Sequence, residues 1–196
     1  MPTKERKEKI ERAVHNRQAG IVVVLEDMYD PHNVGAVMRT CDAFGVHEIH
    51  AVYDKQEKVD LKKAGKQTST SASKWISVKY HDSIENCASY LKNKGYTIVG
   101  TVPDETAKNI FHCDLLEDEK IAFLVGNEHE GLSEKALKVS DKKVHIPMTG
   151  MVQSLNVSVV TAILVFEATR QRVEGNKWRG FSQEEKDDLI KEWSRS

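Results

Sequence analysis

Apolar residues in this chain fall into short runs, and the stretches between the runs carry a helical period. Ile21–Leu25, Val46–Val52, Trp75–Tyr80, Tyr96–Thr101, Ile121–Val125 and Val144–Ile146 are compact, largely β-branched or aromatic segments and predict strands. Between them, residues 4–18 read as a charged helix anchored mainly by Ile10, Ala13 and Val14. Val34, Val37, Met38, Cys41 and Phe44 recur at helical spacing, with Asn33 suited to cap the start and Gly45 to end it. A short helix is expected near Val59–Ala64, an amphipathic one over Ser83–Lys94, and another from Ser133 to Val139. Ser182 and Glu185 have the spacing of a capping box, which predicts a terminal helix to Trp193. Gln67–Ser73 and Val102–Leu116 show no clear period and read as irregular. Strands alternating with helices predict an α/β fold with a mainly parallel sheet and helices on both faces.

One stretch departs from this regular alternation. Ile146–Arg172 reads IPMTGMVQSLNVSVVTAILVFEATRQR. It starts as a loop punctuated by Pro147 and Gly150, then becomes a long helix in which Leu155, Val159, Ala162, Ile163 and Phe166 mark the expected buried stripe. The loop carries Met148, Met151 and Val152 where a loop is normally polar. Taken alone it reads first as an ordinary strand-to-helix connection over a core. The other reading is a flat ligand whose ring nitrogens meet the loop's backbone groups.

Composition narrows the classes. The 196 residues are 39% hydrophobic and 30% charged, which suits one domain with a single core. The longest apolar runs are too short to span a bilayer, and the first residues, MPTKERKEKIERAV, lack the apolar core of a signal peptide. Cys41, Cys87 and Cys113 form neither a CxxC pair nor a disulfide framework, so a reducing cytoplasm is the expected location. The net charge of −1 is segregated: residues 1–20, 55–80 and 142–180 are basic, and the blocks between them acidic. Each block alone suits a solvated helix face; three together point towards a nucleic acid.

Several chemistries are excluded by what is missing. No GxGxxG is present, which disfavours a dinucleotide fold. Gly126 and Gly131 have P-loop spacing, but Leu132-Ser133 follows where a lysine is required. His129 has no second histidine at metal spacing, so no metal centre is expected, and Ser154 lacks a G-x-S-x-G context. Three apolar strands instead end in Gly-containing polar turns, after Leu25, Val125 and Ile146, and such strand ends bind ligands in α/β sheets. Arg39 is the only Lys or Arg between residues 21 and 54, among six acids. A surface ion pair accounts for it, as does a phosphate clamp.

Three motifs, NVGAVMRT at 33–40, LVGNEHEGLS at 124–133 and the 146–172 stretch, resemble the SpoU/TrmH branch of the SPOUT RNA methyltransferases, over roughly residues 21–172. The resemblance implies a C-terminal deep trefoil knot, a homodimer with the 154–172 helix in its interface, and S-adenosylmethionine as methyl donor. The pocket would be lined by Thr101, Gly126, Ile146 and Leu155, with Met148 and Met151 nearby. It also implies 2′-O-methylation of a tRNA ribose, that of guanosine 18, with Arg39, Asn33, Glu128, Ser154 and Asn156 at the reacting centre. Asn33 and Asn156 serve equally well as caps or structural links, and Glu128 as a tie between loop amides. The terminal segments 1–19 and 175–196 are expected to flank the domain at 20–174 as helical extensions, the first contacting tRNA. Arg6, Arg12, Arg17, His32, Arg170 and Arg172 are the phosphate-contact candidates, with Lys62, Lys63 and Lys66 behind them. Methylation of ribosomal RNA or of a tRNA wobble nucleotide, and RNA binding without catalysis, are the alternatives on the same fold.

Overall fold

Five apolar residues in succession, Ile21 to Leu25, are all buried in strand β1 (Gln18–Glu26). Successive side chains of a strand point to opposite faces, so this run requires a sheet covered on both sides. The computed structural model describes residues 3–55, 58–68 and 72–195, the side chains of 66–68 excepted. It builds that sheet from β1, β2 (Val46–Val52), β3 (Ser77–His81), β4 (Thr97–Thr101), β5 (Lys108–Asn109), β6 (Ile121–Val125) and β7 (Lys142–His145). The order is β3-β2-β1-β6-β4-β7-β5, and every pair is parallel. The α/β expectation is met.

On one face Ile21, Val23 and Leu25 meet Val34, Val37 and Met38 of α2 (Pro31–Ala43) and Leu164, Val165 and Ala168 of α6 (Val157–Glu174). The neighbouring α3 (Leu61–Thr68) adds Leu61 and Ala64 to this cluster. On the other face Val22 and Val24 meet Ile84, Cys87 and Leu91 of α4 (Ile84–Asn93) and Ala136 of α5 (Glu134–Val139). Each buried Leu, Ile or Val contributes roughly 1.5–3 kcal/mol over its exposed state. A third, smaller cluster joins Ile10 and Val14 of α1 (Lys4–His15) to Leu189 and Trp193 of α7 (Gln183–Trp193), with Trp75 against it. The terminal helices therefore pack on one another, and Ser182 and Glu185 form the expected capping box.

Four local expectations are corrected. The first helix ends at His15, because β1 already claims Gln18. Asp30, not Asn33, caps α2: its side chain accepts from the His32 amide at 2.9 Å, and Pro31 fills the first helical position. Residues 102–116 contain the two-residue strand β5 and a 3-10 turn at Ile110–His112. In α6 the buried residues are Val157, Thr161, Leu164, Val165, Ala168 and Arg172, whereas Val159 is 44% and Phe166 52% exposed. That helix is apolar nearly all round, so its period does not select the inner face. The Ser/Thr-rich patch over 67–73 lies largely outside the described residues; Ala72–Lys74 forms one 3-10 turn. Among the described residues no helix is long and apolar enough to cross a membrane.

Candidate active site

β4, β6 and β7 are neighbours at their carboxyl ends, and the loops leaving them enclose a cavity of about 520 Å³. That volume lies within the range of small-molecule sites. Thr101, Gly126, Ile146, Met148 and Leu155 line it, as do Glu128, Ser154 and Asn156. Its walls are mixed: Val102, Leu132, Val144 and Val160 supply aliphatic surface beside the polar turn at 126–131.

That turn is built by its own side chains. Asn127 Oδ1 accepts from the amides of His129 and Glu130 at 2.9 and 2.7 Å, and Asn127 bridges to Gly131. Gly126 is required there, since a Cβ on it would run into the Gly131 backbone. The folded turn directs Glu128 towards α2. Asn33 Nδ2 donates to Glu128 Oε1 at 2.6 Å, and Asn156 Nδ2 donates to Asn33 Oδ1 at 2.9 Å. Asn156 Oδ1 in turn accepts from the Ser158 amide at 2.8 Å and so caps α6. Three elements distant in sequence are thus tied by one polar chain, and the far oxygen of Glu128 is buried with no partner among the described residues. A buried carboxylate oxygen left unpaired is costly. Just outside the site, Ser133 donates through both its amide and its hydroxyl to the buried Glu26, at 2.9 and 2.6 Å, which anchors the start of α5 beneath the turn.

The remaining candidates divide. Arg39 is exposed on α2, six residues beyond Asn33, or about 9 Å along the helix axis. It does not line the cavity, and among the described residues it has no ion pair. Met151 is fully exposed and also lies off the cavity, because the loop carries it outward past Gly150. Arg6, Arg12 and His32 are exposed, as are Lys62 and Lys63; the side chain of Lys66 lies outside the described residues. Arg170 is held by Glu167 at 2.6 Å and by Glu174.

Arg17 and Arg172 correct the expectation of phosphate contact, for both are buried. Arg17 pairs with Asp42, donates to the Val46 carbonyl at 3.0 Å and lies over the Trp193 ring. Burial lowers its pKa, and Asp42 opposes that shift. Arg172 donates to the carbonyls of Ala19, Gly20 and Glu119 at 2.8, 3.1 and 3.1 Å. Gly20 has φ +76°, and a Cβ there would press into the Glu119 carbonyl oxygen. Cysteine chemistry has no footing beside α2, because burial pushes the Cys41 thiol up to about 12.

Sequence reasoning missed Leu132, Val144 and Val160 as cavity walls. Val144 and Val160 sit on β7 and α6, where an apolar residue signals core rather than ligand, and Leu132 lies in the bend just before α5.

Comparison with known proteins matches residues 20–166 to the SpoU rRNA Methylase family. A Thermus thermophilus protein named tRNA (guanosine(18)-2′-O)-methyltransferase is 38% identical over 172 residues, covering 88% of this chain and 86% of that protein. An Aquifex aeolicus protein of the same name is 32% identical over 97% of this chain and 89% of its own length. The crystal structure of an A. aeolicus TrmH/SpoU tRNA modifying enzyme superposes with a TM-score of 0.84 at 31% identity, covering 98% of this chain and 96% of that one. The SpoU methyltransferase AviRb from Streptomyces viridochromogenes, solved in complex with AdoMet, superposes at 0.68 with 25% identity, over 83% of this chain and 61% of that one.

Proposed function

The chain belongs to the SpoU methylase family, and from that premise we propose that it methylates the 2′-oxygen of a tRNA ribose, that of guanosine 18. The observation that carries the reading is the cavity at the ends of β4, β6 and β7. Glu128, bonded to Asn33 through one oxygen, lines it together with Met148 and Leu155 of the apolar loop. S-adenosylmethionine fits it: aliphatic walls for the adenine faces, backbone groups of the 146–155 loop for its edges, and Gly126 leaving room where a side chain would intrude. When bound, that group supplies an activated methyl on a sulfonium. Thr101, Gly126, Ile146, Met148 and Leu155 would hold it.

The chain's own residues position the acceptor. An alcohol is a poor nucleophile until its proton is drawn away. Glu128, fixed by Asn33, lines the cavity, and a rotation of its carboxylate brings the second oxygen out to accept from the ribose hydroxyl. Asn156 keeps Asn33 turned towards Glu128 while capping α6. Ser154, exposed at the cavity mouth, donates to the substrate. Arg39 belongs to the RNA side: it holds a phosphate and its charge favours the developing alkoxide. Holding oxygen and methyl in line contributes up to about 7–11 kcal/mol through proximity.

The remaining parts of the reading concern architecture. A C-terminal trefoil knot belongs to this reading; the strand order that places β7 between β4 and β5, with α6 following and packing over β1, is compatible with it. The exposed apolar stripe of α6, with Phe166 packed edge-on against Phe44 of the α2 end, is the homodimer face. Residues 20–174 form the catalytic domain, whose first strand begins two residues earlier, and α1 and α7 form a paired helical extension whose exposed Arg6 and Arg12 contact tRNA. The protein works in the cytoplasm.

The test is direct. The protein is incubated with labelled S-adenosylmethionine and, in separate reactions, total tRNA and ribosomal RNA, and each product is digested and read by mass spectrometry. A 2′-O-methylguanosine at position 18 is expected. Label on ribosomal RNA alone, or at the wobble position, overturns the substrate; no label on any RNA overturns the enzyme.

A further inference from the structure

A second cluster of chemically capable side chains lies at the opposite side of the sheet. His50 on β2, His81 at the end of β3 and Cys87 on α4 bring two imidazole nitrogens and a thiol sulfur within 4.8 Å of one another. None of them lines the cavity. His50 and Cys87 are fully buried and His81 is half-buried.

The hydrogen bonding sets the tautomer. His50 Nε2 lies 2.6 Å from Glu48 Oε1, and Glu48 is also paired with Lys79 at 2.6 Å. An ionised carboxylate only accepts, so His50 Nε2 carries the hydrogen and the lone pair of the neutral ring sits on Nδ1. That Nδ1 faces His81 Nε2 at 2.8 Å. A carboxylate that fixes one ring nitrogen while the other is left free to ligate is the usual support of a metal-bound histidine.

We propose that His50 Nδ1, His81 Nε2 and Cys87 Sγ form a site for a zinc-class divalent ion, with solvent as the fourth ligand on the half-exposed His81 side. Two imidazoles and a thiolate are borderline-soft donors, suited to zinc and unsuited to magnesium or calcium. Bond lengths of about 2.0–2.3 Å place tetrahedral donors about 3.3–3.7 Å apart. The histidine pair must open by about 0.5 Å, and the sulfur needs to draw in by no more than about 1.5 Å. On binding, the ion takes the place of the thiol proton, which leaves to solvent. The His81 hydrogen moves to Nδ1, and nothing is oxidised or reduced. The ion clamps β3, an edge strand paired only with β2, to α4.

Full-length protein freed of metal by dialysis against a chelator is titrated with Co²⁺ alone, then with Zn²⁺. One cobalt per chain is expected, with a thiolate-to-cobalt charge-transfer band that Zn²⁺ abolishes, and a thermal midpoint raised by Zn²⁺. Cys87→Ser is expected to remove the band. His81→Gln, at a half-exposed position that leaves the core intact, is expected to weaken cobalt binding by about tenfold or more with circular dichroism unchanged. A wild-type protein with no charge-transfer band overturns the proposal. A band that survives Cys87→Ser, or undiminished affinity in His81→Gln, overturns it equally.

Discussion

Glu128 holds one oxygen against Asn33 and leaves the other buried and unpaired, and this imbalance gives the residue a testable role. Glu128→Gln keeps the shape and still accepts from Asn33, but it removes the charge and turns the free oxygen into a donor. Methyl transfer is expected to fall by about 10²-fold, roughly 2.7 kcal/mol, while calorimetry finds S-adenosylmethionine affinity nearly unchanged. Turnover at the wild-type rate would reduce Glu128 to a tie between loops. Arg39→Ala is the complementary case: background methylation with normal donor affinity is expected, and lost affinity with intact turnover would refute its placement on the RNA side. Arg172→Met tests a structural arginine. It strands the carbonyls of Ala19, Gly20 and Glu119, so a loss on the order of 3 kcal/mol is expected from urea unfolding, with tRNA contacts elsewhere unaffected. Arg17 and Arg172 also show where single-residue reading stops. A letter R carries charge but not depth, and both guanidinia turned out to be spent inside the protein. Asn33, Glu128 and Asn156 were singled out by resemblance; the polar chain joining them across 123 positions was not readable from spacing.

Among the elements, the strands of the central sheet were the most legible, because runs such as Ile21–Leu25 and Ile121–Val125 tolerate only burial on both faces. β5 escaped notice because two residues carry no period. α6 was read as a helix but with the wrong face inward, since apolar residues circle it. That error has its own consequence: Val159 and Phe166 are left outside, and Phe166→Glu is expected to yield a monomer by sedimentation with far-UV circular dichroism unchanged. α1 behaves differently. Its Ile10 and Val14 are committed to α7, while Arg6 and Arg12 stand in solvent. Replacing both arginines with alanine is expected to weaken tRNA binding and lower the salt slope by about 2, with the fold intact. An unchanged slope would remove α1 from the RNA interface.

For the whole molecule, the parallel α/β plan followed from alternation alone, whereas strand order did not. Nothing in the period places β6 between β1 and β4, or brings His50 to His81 and Cys87. That order bears on synthesis. Ile21–Leu25 of β1 pair with β6, and roughly a hundred residues separate them. At about 5–20 residues per second, the ribosome needs about 5–20 s to deliver that partner. Until then the nascent chain carries Ile21–Leu25 with one flank unmatched, in a form that invites association between growing polypeptides. Completion of this sheet is therefore a late event of translation, and a holdase that shields the first strand in the interval is expected to raise the yield of native protein more than any factor acting after release.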